Sequence, residues 1–121
     1  MIQGQVTRLQ AQVGVVFRLQ NRPDIEIEFV VDTGFEGALT LPPAAVAALG
    51  LPFFQEMNAN LANDISVRAD VHVATIIREG QEIEVLVLSM GRRPLLGTAL
   101  LAGKELVVQF IENGIVIIDD L

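Results

Sequence analysis

Cysteine, tryptophan and tyrosine are absent from this chain, and histidine occurs once. Without cysteine there is no disulfide, no thiol nucleophile and no thiolate metal site. A single histidine argues against a Ser-His-Asp triad and against a poly-His zinc site. Six phenylalanines are the only aromatics, too few for a base-stacking platform. Positive charge is scarce as well: eight Lys and Arg face fifteen Asp and Glu, a net charge of −7. Phosphate backbones repel such a surface, so no nucleic-acid partner is expected. No stretch approaches the roughly 20 uninterrupted apolar residues of a membrane span. Gln and Gly interrupt Met1 to Leu9, where a signal peptide needs an apolar run, so the expected compartment is the cytoplasm.

What is present is apolar. The 121 residues suit one domain, 1–121, long enough for a substantial core. The hydrophobic share is 51% before the ten glycines are counted. Ordinary domains reach only about 45–50% with glycine included. A small domain has difficulty hiding that much apolar surface alone. The composition therefore favours a subunit that buries a face against a partner, most simply as a symmetric homodimer.

The hydrophobic pattern reads mostly as strands. Val13 to Leu19 is a β-branched run, and Asn21 to Asp24 is a turn cluster. Ile25, Ile27, Phe29 and Val31 then alternate with Glu26, Glu28 and Val30, and the strand runs straight into Asp32. A short strand at Ala38 to Leu41 precedes the best helix candidate, with Pro42-Pro43 in its first turn, Ala44 to Leu49 as its body and Gly50 as its stop. Val67 to Ile77 alternates as a long strand, and Glu79-Gly80 turns it into Glu82 to Leu88. Leu95 to Leu101 suggests a short helix, with Thr98 as N-cap and Gly103 as its stop. Phe53-Phe54 suggests core, or a wall of a cleft. Glu105 to Ile111 and Ile115 to Asp119 flank Asn113-Gly114, a hairpin signal. Many short strands with one or two short helices predict an all-β, closed or nearly closed barrel. A shift of 56 residues lays Glu26 to Val31 over Glu82 to Val87 with four of six residues identical, and Leu39 over Leu95. If this reflects duplication, Asp32 falls on Leu88 and the second half lacks the acid.

The stretch that carries chemistry is Phe29 to Gly37. A lone Asp32-Thr33-Gly34 is weak, since chance produces such a triplet in a chain this long on the order of a few per cent of the time. Its plain reading is a strand ending with Asp in an Asx turn. Position strengthens it: an apolar strand delivers the carboxylate, and Gly34 lets other backbone approach. After a further sixty residues comes Leu95-Leu96-Gly97, ahead of the helix candidate. Together, Val30-Val31-Asp32-Thr33-Gly34 and Leu95-Leu96-Gly97-Thr98-Ala99-Leu100-Leu101 resemble the two signature elements of the retroviral-type aspartic peptidases, the retropepsin family and its bacterial relatives. The order and spacing span nearly the whole chain.

That resemblance implies a retropepsin-like barrel, half a pepsin in size and with half a site per chain, which works as a homodimer. It implies an aspartic endopeptidase acting on peptide or protein substrates, with Asp32 catalytic and no metal or other cofactor. Thr33 of each chain would bond the partner's loop, and Gly34 would face the paired carboxylates or the substrate. Leu95, Leu96 and Gly97 would support the turn. A flap would lie at Asn60, Leu61, Ala62, Asn63, Asp64 and Ile65, and the chain termini would pair between subunits, with Ile115 to Leu121 as the candidate strand. Two departures stand out. The flap tip has no glycine, although Asn and Asp tolerate the left-handed conformation, and Phe35 stands where a small residue is common. Independently of any family, amide hydrolysis by carboxylates needs an acid and a base together. This chain offers one well-placed acid, and a two-fold axis beside it supplies the other. Two such carboxylates cannot both ionise comfortably and share one proton.

The alternative reading is a catalytically silent peptide-binding or assembly module on the same fold. A small-ligand carrier, monomeric and with no use for Asp32, is a third. Elsewhere the plain readings prevail: His72 with Asp70 as a surface pair, Arg92-Arg93 as a solvated loop, Glu36 facing solvent and Asp119-Asp120 as an acidic end without metal-loop spacing.

Overall fold

The structure is a computed structural model and describes residues 1–60 and 64–121. Its elements in chain order are β1 (Ile2–Thr7), β2 (Gln10–Arg18), β3 (Ile25–Val31), β4 (Leu39–Leu41), α1 (Pro43–Leu49), β5 (Phe53–Asn60), β6 (Ser66–Arg78), β7 (Gln81–Ser89), β8 (Leu95–Leu96), a 3₁₀ turn (Thr98–Leu100), β9 (Lys104–Val108) and β10 (Ile115–Asp120). All ten strands join one sheet, in the order β5-β6-β7-β4-β8-β3-β2-β1-β10-β9. A further pairing of β2 with β6, Val16 opposite Ile77 and Phe17 opposite Ile76, closes β2, β3, β8, β4, β7 and β6 into a ring.

Period-2 alternation builds the core inside that ring. On β2, Ala11, Val13, Val15 and Phe17 are buried, while the residues between them are half-buried. Phe17 and Phe29, both fully buried, stack with ring centroids 5.9 Å apart. The helix follows the sequence reading: Pro43 supplies the preset φ of its first turn, and Gly50 ends it at φ +64. Arg22 adds a cation at its C-terminus, donating to the carbonyl oxygens of Ala48 and Leu49 at 3.1 and 2.6 Å.

Several expectations need correction. Leu95 and Leu96 form a strand, and only Thr98–Leu100 is helical, with Gly97 as its N-cap in place of Thr98. Two partners hold these leucines extended: β3 pairs with them in parallel and β4 antiparallel. The last connection is no two-residue hairpin. β9 ends at Val108, and the loop is pinned to β1 by hydrogen bonds Val6 N–Gly114 O and Asn113 N–Val6 O. Asn113 does take the expected left-handed φ, +65. Strand β10 is not a free edge for an interchain sheet, because β1 covers one side and β9 the other within the same chain. Phe53 and Phe54 are not core: they are 59% and 55% exposed on β5, which pairs on one side only. The solitary histidine ignores Asp70. His72 is half-buried, its Nδ1 lies 2.9 Å from the Leu51 carbonyl oxygen, and its ring meets Phe53 edge-on at 5.7 Å.

The internal echo has a structural counterpart. Read outward from the β4–β8 contact, the sheet order runs β7-β6-β5 on one side and β3-β2-β1 on the other. Strand β4 lies parallel to β7, as β8 lies parallel to β3. Leu88, the residue that a 56-residue shift lays on Asp32, is buried.

Candidate active site

Strand β3 delivers Asp32 from the core to the surface within three residues: Phe29 is fully buried, Val30 and Val31 are half-buried, and the chain then turns. Asp32 is itself half-buried. Its Oδ1 accepts the Gly34 N–H at 2.9 Å, and its carbonyl oxygen accepts the Phe35 N–H at 3.1 Å. The turn is thus an Asx turn. Only one carboxylate oxygen is engaged by these bonds. Thr33 and Gly34 lie exposed beside it. The Thr33 hydroxyl makes no hydrogen bond among the described residues.

The turn is rigid because another segment clamps it. Asp32 N donates to Leu96 O at 2.9 Å, Gly97 N to Ala38 O at 2.8 Å, Thr98 N to Phe35 O at 2.8 Å and Ala99 N to Gly37 O at 3.2 Å. Thr98 Oγ1 also donates to Phe35 O, at 3.3 Å. A Cβ on Gly97 would stand 2.2 Å from Gly37 O and 2.5 Å from Phe35 O. The segment can approach this closely only because residue 97 is glycine. Leu96 is buried and Leu95 half-buried beneath the turn.

Phe35 turns to β6 and β7 and does not line the depression that opens beside Asp32. Its ring joins a small apolar cluster of Ala69, Val71, Leu88 and Met90, apart from the main core, and covers Gly37 and Gly97. The residue departing from the small side chain common after the triplet thus ties the Asp32 turn to β6 and β7. Strands β5 and β6 pair in register up to Asn60 opposite Ser66, and the expected flap falls in the sequence that connects them. Asp64 takes φ +62, and Ile65 is 54% exposed. Leu61, Ala62 and Asn63 lie outside the described residues.

A depression of about 510 Å³ opens at the turn, and Gln10, Val31, Asp32, Thr33, Arg92 and Arg93 contribute to its lining. Asp32 is the only acid among its lining residues. Glu36 is exposed and does not line it. The sequence reading set Arg92 and Arg93 apart as a solvated loop. They are exposed, but they share this depression with Asp32. A residue that the reading missed is Thr40. It is only 3% exposed; its Oγ1 accepts the Leu95 N–H at 3.2 Å and donates to Arg93 O at 3.4 Å, fastening the arginine loop to β4. A threonine between Leu39 and Leu41 in a wholly buried strand is the signal that could have found it, since a buried hydroxyl needs a partner.

Solved structures with the same architecture exist. The EIAV protease complexed with the inhibitor HBY-793 superposes with a TM-score of 0.61 at 19% identity, covering 80% of this chain and 91% of that one. A retropepsin-like aspartic protease from Rickettsia conorii superposes with a TM-score of 0.57 at 16% identity, covering 99% and 91%. The fold is therefore retropepsin-like. No family model matches the sequence, and no curated protein matches it either.

Proposed function

We propose that this chain is an aspartic endopeptidase whose active unit is a homodimer. The observation that carries the reading is Asp32. One half-buried carboxylate ends a core strand, sits on a clamped turn and faces an open depression that contains no second acid. Acid–base hydrolysis of an amide needs two such groups. A two-fold axis beside the exposed Thr33-Gly34 edge supplies the other as Asp32 of the partner subunit.

In that arrangement the two carboxylates hold one proton between them. The ionised member takes a proton from a water, and the water oxygen forms a bond to the scissile carbonyl carbon. The protonated member gives its proton to the carbonyl oxygen, producing a neutral tetrahedral diol. Collapse restores the C=O bond, breaks the C–N bond and delivers a proton to the leaving nitrogen. The rigid turn serves this chemistry by fixing the carboxylates before substrate arrives. Thr33 would lock the two turns together through the partner's backbone, and the β5–β6 hairpin would close over the bound peptide.

The test is cleavage of a diverse peptide pool across pH 3 to 8, read by mass spectrometry, with wild type beside Asp32→Asn. Asparagine keeps the shape but cannot hold the shared proton. The expected result is a set of cuts present with wild type and reduced at least a thousandfold, about 4 kcal/mol of barrier, in the variant. No Asp32-dependent cut at any pH would reject the endopeptidase and favour the silent peptide-binding module.

A further inference from the structure

We propose that Arg92 and Arg93 select acidic side chains in the substrate, and that in the homodimer they do so on both sides of the scissile bond. The inference deepens the endopeptidase reading and rests on it. It begins from an inventory of cations. Only eight Lys and Arg stand against fifteen acids in this chain. Arg18 is spent on Asp24 and Glu82, Arg68 on Glu56 and Lys104 on Asp120. Arg22 and Arg78 hold main-chain carbonyls at Leu49 and Leu100. The guanidinium groups of Arg8, Arg92 and Arg93 make no such bond among the described residues; Arg8 stands singly in the exposed β1–β2 turn and does not line the depression. In so acidic a molecule, two adjacent unspent cations are an anomaly, and they lie in the depression that holds Asp32.

Their loop is fixed at both ends. Met90 N donates to Leu41 O at 3.0 Å on one side, and Val30 N donates to Pro94 O at 3.0 Å on the other. Thr40 holds the carbonyl oxygen of Arg93, and Gly91 makes the bend at φ +82. Pro94 therefore docks on β3, two residues before Asp32. A guanidinium carried on a fixed backbone loses less freedom on forming a paired hydrogen bond with a carboxylate. The net charge of −7 repels an acidic peptide at a distance, so the effect belongs to close contact and salt will weaken it. Two-fold symmetry places one arginine pair on either side of the paired Asp32 side chains. The matching substrate is a peptide with Asp or Glu flanking its cut on both sides.

The experiment extends the peptide-pool digest. Asp or Glu should be enriched near Asp32-dependent cuts, before and after the scissile bond. For the best-cut sequence, a matched Glu/Gln pair of peptides should differ about tenfold in kcat/KM with wild type, the value of roughly one charged hydrogen bond. The doubly substituted Arg92→Gln, Arg93→Gln protein should bring that ratio below about twofold, and the Lys pair should restore part of it. Reading a ratio within one protein cancels any general loss of stability, and the two single variants serve if the double variant does not fold. Cuts without acidic enrichment, or a ratio untouched in the double variant, would overturn the proposal. If no Asp32-dependent cut appears, the endopeptidase reading fails separately. The arginines are then tested by fluorescence anisotropy with labelled Ser/Ala decapeptides carrying central Glu-Glu or Gln-Gln. An Arg-dependent preference for Glu-Glu upholds selection of acidic peptides, and equal binding overturns it.

Discussion

At Gly97 the absence of a single atom sets the geometry of the site. A Cβ there would meet two carbonyl oxygens, Gly37 O and Phe35 O, both on the segment that carries Asp32. Neither is the end of a flexible side chain, so the turn itself must move. Gly80, at φ +83 on the β6–β7 turn, offers a contrast, since a Cβ there meets nothing within 4 Å and only the backbone conformation resists it. Gly97→Ala is expected to destabilise by about 3 kcal/mol, in the range of overpacked cores, and to abolish Asp32-dependent cleavage. Gly80→Ala should cost about 1 kcal/mol and leave cleavage intact. Urea unfolding of the two variants beside wild type decides it: equal losses would mean that the clamp yields easily and that closeness at residue 97 is incidental. Nothing in the sequence around residue 97 reveals which atoms a side chain would strike. Leu95-Leu96-Gly97 could be matched to a motif, yet the reason for the glycine lies sixty residues away in sequence.

Among elements, Arg18 ties three together. It stands at the end of β2 and pairs with Asp24 in the β2–β3 connection and with Glu82 at the start of β7. Hydrogen bonding to Arg18 holds the Asp24 carboxyl below its ordinary value of 3.8. The folded value lies below the unfolded one, so the contribution is complete above about pH 4–5 and fades as pH falls through the folded value. All three side chains are well exposed, so the effect is small and salt-sensitive. Asp24→Asn should lower the melting temperature at pH 7, and the gap to wild type should shrink towards zero near pH 2 or in about 1 M salt. A gap that persists at both would mean that Asp24 acts through the turn backbone and not through charge. The same scale explains which elements could be read from sequence. The strand of Ile25, Ile27, Phe29 and Val31 and the helix closed by Gly50 carry periodicity and stop signals of their own. Strand β5, Phe53–Asn60, is paired on one side and exposes Phe53, Phe54 and Met57. Its composition follows no buried face, so alternation could not reveal it. Leu95 and Leu96 are extended because β3 and β4 claim them, a tertiary demand that overrides their helical propensity.

For the molecule as a whole, one sheet folds about the β4–β8 contact in two similar halves that differ at one equivalent position: Asp32 in the first, buried Leu88 against Phe35 in the second. In the proposed mechanism such a chain supplies one member of an acid–base pair, in keeping with the apolar excess of its sequence. The expected interchain strand, Ile115 to Leu121, is not available for that role. Val116 and Ile118 of that segment are buried in the core of their own chain, β1 and β9 pair with its two sides, and among the described residues the strands left with an open side are β5 and β9. The two-fold reading has a consequence that needs no knowledge of the interface. If both Asp32 side chains of a dimer are required, Asp32→Asn subunits poison wild-type ones. After unfolding and refolding together in equal amounts, about half of the dimers should be mixed and activity should fall to about a quarter of that of the same total protein as wild type, following the square of the wild-type fraction. Chains acting alone would give about half, following the fraction itself. Sedimentation of the same mixtures measures the mass against the 13.1 kDa of one chain. A quadratic loss in a dimer establishes the shared pair. A linear loss, or cleavage by a monomer, would mean that Asp32 works with a second group inside its own chain, and the two-carboxylate mechanism would have to be abandoned.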